Sequence, residues 1–261
     1  SAGRATVTGR TPGATAEQIG QWRARLAVNR EGVLYEDGFV QVGIKSQFQG
    51  GRGRLQVFVG NKQDDTITDF AFKLSFPPGL QGGVSNVPNM VNKKQQISFE
   101  VQVECVGAFA GAPDLDVSLR CAGEARVMSL SLPIVVSKFL QPSGGVAALS
   151  LGEWDGRWGR LAGRPPVPVP VQDKWLMESA IKSLLSVGLS AAVADPFPGG
   201  VLSFGADSVL YGAAGPMSEV LAQLVLDKAT KVVTVAVRSD NEVLRTGVEA
   251  VLVGALSGGK R

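Results

Sequence analysis

Apolar and polar side chains alternate strictly along much of the chain from Val33 to Leu140, the mark of strands with one face in a core and the other in water. The series opens with Phe39-Val40-Gln41-Val42-Gly43-Ile44 and continues with Leu55-Gln56-Val57-Phe58-Val59, which the turn-rich Gly60-Asn61-Lys62 ends. In 66–76, Phe70, Phe72, Leu74 and Phe76 alternate with polar residues, and Pro77-Pro78-Gly79 stops the strand because proline supplies no ladder donor. Ile97-Ser98-Phe99-Glu100-Val101-Gln102-Val103 repeats the pattern, 115–121 repeats it again, and 127–136 makes the last strand. Gly50-Gly51-Arg52-Gly53 reads as a hairpin tip. Short strands at regular spacing with Gly and Pro turns predict an antiparallel, Ig-like β-sandwich over 31–141.

After Gln141-Pro142-Ser143-Gly144-Gly145 the period changes, which places a second subdomain at 142–261. Ser150 and Glu153 have the spacing of a capping box and predict a helix over 151–161, weakened by Gly152, Gly156 and Gly159. Pro165, Pro166, Pro168 and Pro170 force an extended stretch. Asp173 is the expected cap of a second helix whose apolar face holds Leu176, Met177, Ala180, Ile181, Leu184 and Leu185. Strands follow near 201–206, 219–226 and 231–237, and Ser239-Asp240-Asn241 caps a last helix with Val243, Leu244, Val248, Val251 and Leu252 inward. The fold class is therefore mainly β followed by α+β: a sandwich, then an antiparallel sheet with flanking helices. Ahead of both, 1–30 sets Arg4, Arg10, Arg23, Arg25 and Arg30 against Glu17 among Gly, Thr and Ala. That composition reads as a flexible hinge or linker, with a transit peptide as the alternative.

Composition narrows the chemistry more than the fold. With 44% hydrophobic and 19% charged residues in 261, the chain can bury substantial cores. Its 26 basic and 23 acidic residues leave a net charge of +3 without a basic block, so nothing points to nucleic acid. There is no histidine, which removes Ser-His-Asp and Cys-His catalysis and most zinc sites. Cys105 and Cys121 read as reduced core residues, with a single bridge between them as the alternative. The most apolar window, 184–194, is eleven residues long, short of the ~20 that span a bilayer. Phosphate loops and a GxSxG elbow are missing from the sequence, and Asp64-Asp65 and the Asp114/Asp116 pair sit at or near turns, as solvated acids do. The reading is of a non-enzymatic protein without a cofactor.

Two runs identify a resemblance: Phe39-Val40-Gln41-Val42-Gly43-Ile44-Lys45-Ser46-Gln47-Phe48, and Gly53-Arg54-Leu55-Gln56-Val57-Phe58-Val59-Gly60-Asn61-Lys62. With Val103-Glu104-Cys105, Phe109, Ala112-Pro113, Leu132-Pro133-Ile134, Lys138-Phe139-Leu140-Gln141-Pro142 and Arg157-Trp158, they resemble the appendage, or ear, of alpha-adaptin in the plasma-membrane clathrin adaptor. The resemblance implies a sandwich and a platform that capture short linear motifs of endocytic accessory proteins at the cytoplasmic face of clathrin-coated pits. It also implies attachment to other adaptor subunits through a trunk outside this chain. In such ears the sandwich takes WxxF-type peptides through positions that match Gly43, Lys45, Phe58 and Gln96 here, the thirteen-residue interval from Lys45 to Phe58 included. The side chains suit the task, since Phe58 and a lysine stem offer apolar surface to an indole, Gln96 can bond an extended backbone and Lys45 can meet acidic flanks.

Family platforms take DPF, DPW and FxDxF motifs between a helix tryptophan, an aromatic three residues before it and strand arginines. Trp158 and Arg238 match two of these, while Asp155 stands at the aromatic position with Trp154 displaced by one, and Val225 and Thr234 stand where further arginines are expected. The expectation is an altered or vestigial platform. Asp195-Pro196-Phe197 is itself a DPF tripeptide and reads as a turn. Other readings are an appendage of a different adaptor or coat subunit, and a secreted Ig-like structural module, which would need the Cys105–Cys121 bridge.

Overall fold

The computed structural model describes residues 6–8, 13–85, 87–142, 150–189, 192–194 and 202–258. The first part contains β1 (Thr6–Thr8), α1 (Ala16–Val28), β2 (Glu31–Glu36), β3 (Val40–Gln49), β4 (Arg52–Asn61), β5 (Thr68–Ser75), β6 (Leu80–Ser85), β7 (Gln96–Cys105), β8 (Asp114–Cys121) and β9 (Glu124–Ser131). Two antiparallel sheets result, one in the order β2-β3-β4-β7-β6 and one in the order β1-β9-β8-β5. Their inner faces supply the core: Leu55, Val57 and Val59 of β4, Phe99, Val101 and Val103 of β7, Leu115, Val117 and Leu119 of β8, and Met128 and Leu130 of β9 are all buried. The hairpin between β3 and β4 turns at Gly50, whose φ of 55° lies where glycine is favoured. A mainly β sandwich is what the alternation predicts.

The second part contains β10 (Leu140–Pro142), α2 (Leu151–Arg160), β11 (Ala162–Gly163), β12 (Val167–Pro170), α3 (Glu178–Gly188), β13 (Ala192–Ala194), β14 (Leu202–Gly212), β15 (Gly215–Asp227), β16 (Val232–Ser239) and α4 (Glu242–Leu256). Its antiparallel sheet runs β10-β14-β15-β16-β11, with β12 also paired to β16 and β13 to β14. Ser150 and Glu153 make the expected capping box at α2, and Asn241 caps α4 by accepting from the Leu244 N–H. The joint between the parts is close-packed. Gly51 of the β3–β4 hairpin abuts Gly212, where an added Cβ would lie only 2.0 Å from the Gly212 backbone, and the Ala213 N–H donates to the Cys105 carbonyl at 2.9 Å.

Several expectations are corrected. Residues 1–30 do not form a flexible linker over their described part: β1 pairs with β9, and α1 is an ordered helix. Thr15 and Gln18 close a capping box over a run of good helix formers, and Ile19 and Leu26 are buried, with Trp22 edge-on to Tyr35 at 6.5 Å. The strand expected over 127–136 ends at Ser131, and Val136–Phe139 is a single 3-10 turn. β10 straddles the expected boundary at 141/142: Leu140 and Gln141, read with the sandwich, pair with β14 of the other sheet. Asp173 does not cap α3. It begins a 3-10 turn and holds Lys231 at 2.8 Å, leaving Met177 at the N-cap of α3 with no side-chain cap bond. Val243 is 44% exposed and faces solvent, because Leu244, Val248 and Leu252 carry the buried stripe of α4. The turn expected at Asp195-Pro196-Phe197 falls outside the described residues.

Alternation did not reveal the charge buried between the sheets. Arg126 on β9 is enclosed, with a side-chain exposure of 0%, and its Nη1 donates to Asp37 Oδ2 at 2.9 Å. Asp37, in the β2–β3 turn, also accepts from the Tyr35 hydroxyl at 2.7 Å and from the N–H groups of Phe39 and Val40 at 2.6 and 2.8 Å. The guanidinium carbon lies 4.7 Å from the Phe39 ring centroid. The network joins one sheet to the other. Removing one partner strands a buried charge, so Arg126→Ala is expected to cost about 3–5 kcal/mol in urea unfolding; a loss under about 1 kcal/mol would contradict the network's role.

Burial, the bond to Asp37 and the charge of Asp37 push the Tyr35 hydroxyl up to about 12. An unfolded tyrosine titrates near ~10, so the contribution of Tyr35 is complete below about pH 10 and disappears as pH rises toward about 12. Urea midpoints followed through that window should fall more steeply for the native protein than for Tyr35→Phe. Equal slopes would contradict the buried bond.

Candidate motif-binding faces

Cross-strand register decides which side chains share the outer face of the five-stranded sheet. On β4, Leu55, Val57 and Val59 point inward, so Gln56, Phe58 and Gly60 point outward, and Phe58 is half-buried on that side. Gly43 on β3 and Ser98 on β7 stand directly opposite Phe58, and Val33 on β2 stands opposite Gly43. Lys45 faces Gln56 and Gln96 faces Gly60, so both are diagonal neighbours of Phe58, one on each flanking strand. Diagonal pairs lie about 7–8 Å apart, within reach of long side chains. Gly43, Lys45, Phe58 and Gln96 thus lie on one outward face, with Lys45 and Gln96 exposed.

The surroundings make this face shallow and partly apolar. Gly43, Gly60 and Ser98 around the ring are small, and Val33 adds a half-buried apolar neighbour along the row. Beyond them the face is charged and internally paired: Arg54 with Glu100 at 2.5 Å, Arg52 with Glu104 at 3.2 Å and Lys62 with Glu36 at 3.0 Å. The Glu36 carboxyl is held below its ordinary value by its bonds to Gln41 and Lys62. An extended peptide could lay an aromatic side chain on Phe58 while its backbone meets Gln96 and its charged flank meets Lys45. Val33, Gly60 and Ser98 did not stand out in the sequence. The outward parity of β2, β4 and β7 is the signal that could have found them.

The other candidate lies where α2 crosses the sheet of the second part. Trp154 and Trp158 stack with centroids 5.5 Å apart. Trp154 is buried, and its ring fits over Gly205, where a Cβ would lie 2.8 Å from it. Trp158 is half-buried, and the Arg238 guanidinium carbon lies 4.9 Å from its ring centroid. The structure therefore brings Trp154, Trp158 and Arg238 together. Arg238 is also committed to its own chain: its Nη1 donates to the carbonyls of Trp158 at 2.6 Å and Leu161 at 3.4 Å, at the negative end of α2. Arg157, a further cation at this place, clamps Asp207 with bonds of 2.8 and 3.2 Å and also pairs with Glu219. Val225 and Thr234, directly opposite each other and half-buried, bring no charge to the α2 side of β15 and β16.

Among the described residues no group of three or more acids and cysteines is placed to hold a metal, and no helix is long and apolar enough to cross a membrane. Cys105 and Cys121 are both free and buried, and desolvation raises each thiol above its ordinary value. The two tryptophans differ in a way that stability measures. Trp154→Ala should cost about 3–5 kcal/mol, and Trp158→Ala clearly less, by urea unfolding; equal costs would show Trp158 to be core as well.

Residues 30–133 match the family model described as the adaptin C-terminal domain. Over 141 residues the chain is 35% identical to the AP-2 complex subunit alpha-2 of Dictyostelium discoideum, covering 54% of this chain and 14% of that protein. It is 30% identical over 154 residues to the AP-2 complex subunit alpha-1 of Arabidopsis thaliana, covering 58% of this chain and 15% of that one. The chain thus spans about one-seventh of the length of these curated relatives. A solved structure, the GAE domain of GGA2p from Saccharomyces cerevisiae, aligns at 16% identity with a TM-score of 0.36 over 41% of this chain and 100% of that one, too loosely to carry an argument.

Proposed function

Because residues 30–133 match the adaptin C-terminal domain model, we propose that this chain is the appendage of an AP-2-type alpha subunit, capturing WxxF-type linear motifs on the outer face of its sandwich. The observation that carries the reading is the outward, half-buried Phe58 with Gly43 opposite it and Lys45 and Gln96 diagonal to it. An aromatic motif residue stacks on Phe58 over the space left by Gly43, and Gln96 fixes the extended peptide backbone. Such contacts are individually weak. Recruitment of endocytic accessory proteins to clathrin-coated pits then depends on tails that repeat the motif and engage several appendages at once. The trunk and the remaining adaptor subunits lie outside this chain, and their partnership with it belongs to the same proposal.

On this reading the α2 surface contributes little. A motif aspartate needs unspent guanidinium donors, whereas Arg157 is clamped to Asp207 and Glu219, Arg238 spends its Nη1 on the end of α2, and Val225 and Thr234 add no cation beside them. A DPW peptide is therefore expected to bind at least about tenfold more weakly than a WxxF peptide in calorimetric titration. Micromolar DPW binding abolished by Trp158→Ala would contradict this.

The sandwich site is tested with the same titration. Phe58→Ala removes the anchor ring and is expected to weaken a WxxF peptide by about tenfold or more. Gly43→Ala should fold normally, since the added Cβ would lie 3.8 Å from the nearest atom of Phe58, yet weaken the peptide by narrowing the approach to the ring. Unchanged affinity in both variants would refute the site.

A further inference from the structure

The cation that would meet a ligand's acidic flank is already engaged. Glu31 and Lys45 are directly opposite in the β2–β3 ladder, on the same outward face as Phe58, and form an ion pair at 3.4 Å. The geometry is held from below: the Arg30 carbonyl accepts from both the N–H and the hydroxyl of Ser46, at 2.7 and 3.0 Å, which fastens the start of β2 to β3. These bonds fix the backbone next to Glu31 and so keep its side chain within reach of Lys45. Both side chains nevertheless remain open to water, at 63% and 66% exposure, so the pair is weak enough to be exchanged. The other carboxylates nearby have different cations, Glu100 with Arg54 and Glu36 with Lys62.

We infer that Glu31 is a built-in competitor for the acidic flank of the incoming peptide: it occupies Lys45 in the free protein and must be displaced when a carboxylate next to the motif takes its place. The proposal rests on the sandwich site described above and adds to it a specificity-determining residue. Exchanging one exposed carboxylate for another cancels much of the Coulomb gain, so the native site discriminates only mildly between acidic and neutral flanks. Removing the charge of Glu31 leaves Lys45 free to select for acid. Glu31 does not touch the core, and Glu31→Gln keeps its shape, so the fold is unaffected.

The test is fluorescence polarisation with two WxxF peptides, one with Asp and Glu beside the motif and one with Asn and Gln in their place. They are titrated against the native chain, Glu31→Gln, Lys45→Gln, the double variant and Phe58→Ala. Glu31→Gln should tighten the acidic peptide by about two- to fivefold and leave the neutral one unchanged. The gain should vanish in the double variant and at an ionic strength of about 0.5 M. If Phe58→Ala abolishes binding but Glu31→Gln alters neither peptide, or alters both equally, the competitor role is overturned while the site stands. If neither peptide binds the native chain, or Phe58→Ala leaves both unaffected, the site falls and the competitor role with it.

Discussion

The pleat of one strand governs everything proposed for this protein. On β4, Leu55, Val57 and Val59 are fixed inward because they fill the space between two sheets, and with a period of two that leaves Phe58 outside. A slip of one residue would put the phenyl ring in the core and the aliphatic side chains in water, at a cost of several kcal/mol over three buried side chains. The exposure of one aromatic ring is thus bound to the stability of the sandwich. Its neighbours follow from the same ladder, since register alone puts Gly43 and Ser98 beside it and Lys45 and Gln96 on its diagonals.

Around that face, the rest of the molecule serves as a rigid mount. The Arg126–Asp37 pair joins the β2–β3 turn of the five-stranded sheet to β9 of the sheet behind it. Contact between Gly51 and Gly212 joins the sandwich to the second part, and α1 packs along β2, the strand that carries Glu31 and Val33. These contacts lie beside or behind the outer face and leave it free. A surface that is small, shallow and preorganised suits weak capture of extended peptides, where ordering the protein would consume what little the contact provides.

Much of this architecture was legible along the chain, and the failures have physical causes. Alternation located most of the strands, and the Ser150–Glu153 pair marked the start of α2 because capping chemistry is local. Gly43, Lys45, Phe58 and Gln96 are singled out only by resemblance to an adaptin appendage; the ladder register, which spans three strands, is what sets them on one outward face. Nothing local marks Arg126 as buried: its partner is 89 positions away, and a lone arginine in a strand looks like surface. The segment 16–28 reads as a linker because its apolar stripe is thin, and its helix is secured by tertiary packing on β2 and α4. At α2 the sequence pointed to Trp154, Trp158 and Arg238, which do meet, but not to the carboxylates Asp207 and Glu219 that hold Arg157.

The most direct measurement is amide chemical-shift mapping of the isotope-labelled protein as a WxxF peptide is added. The account predicts saturable shifts centred on Gly43, Lys45, Phe58 and Gln96 and spreading to Val33 and Ser98, with α2 and β16 unmoved. Saturable shifts confined to α2, Arg238 and their neighbours, with the outer face of the sandwich silent, would contradict it.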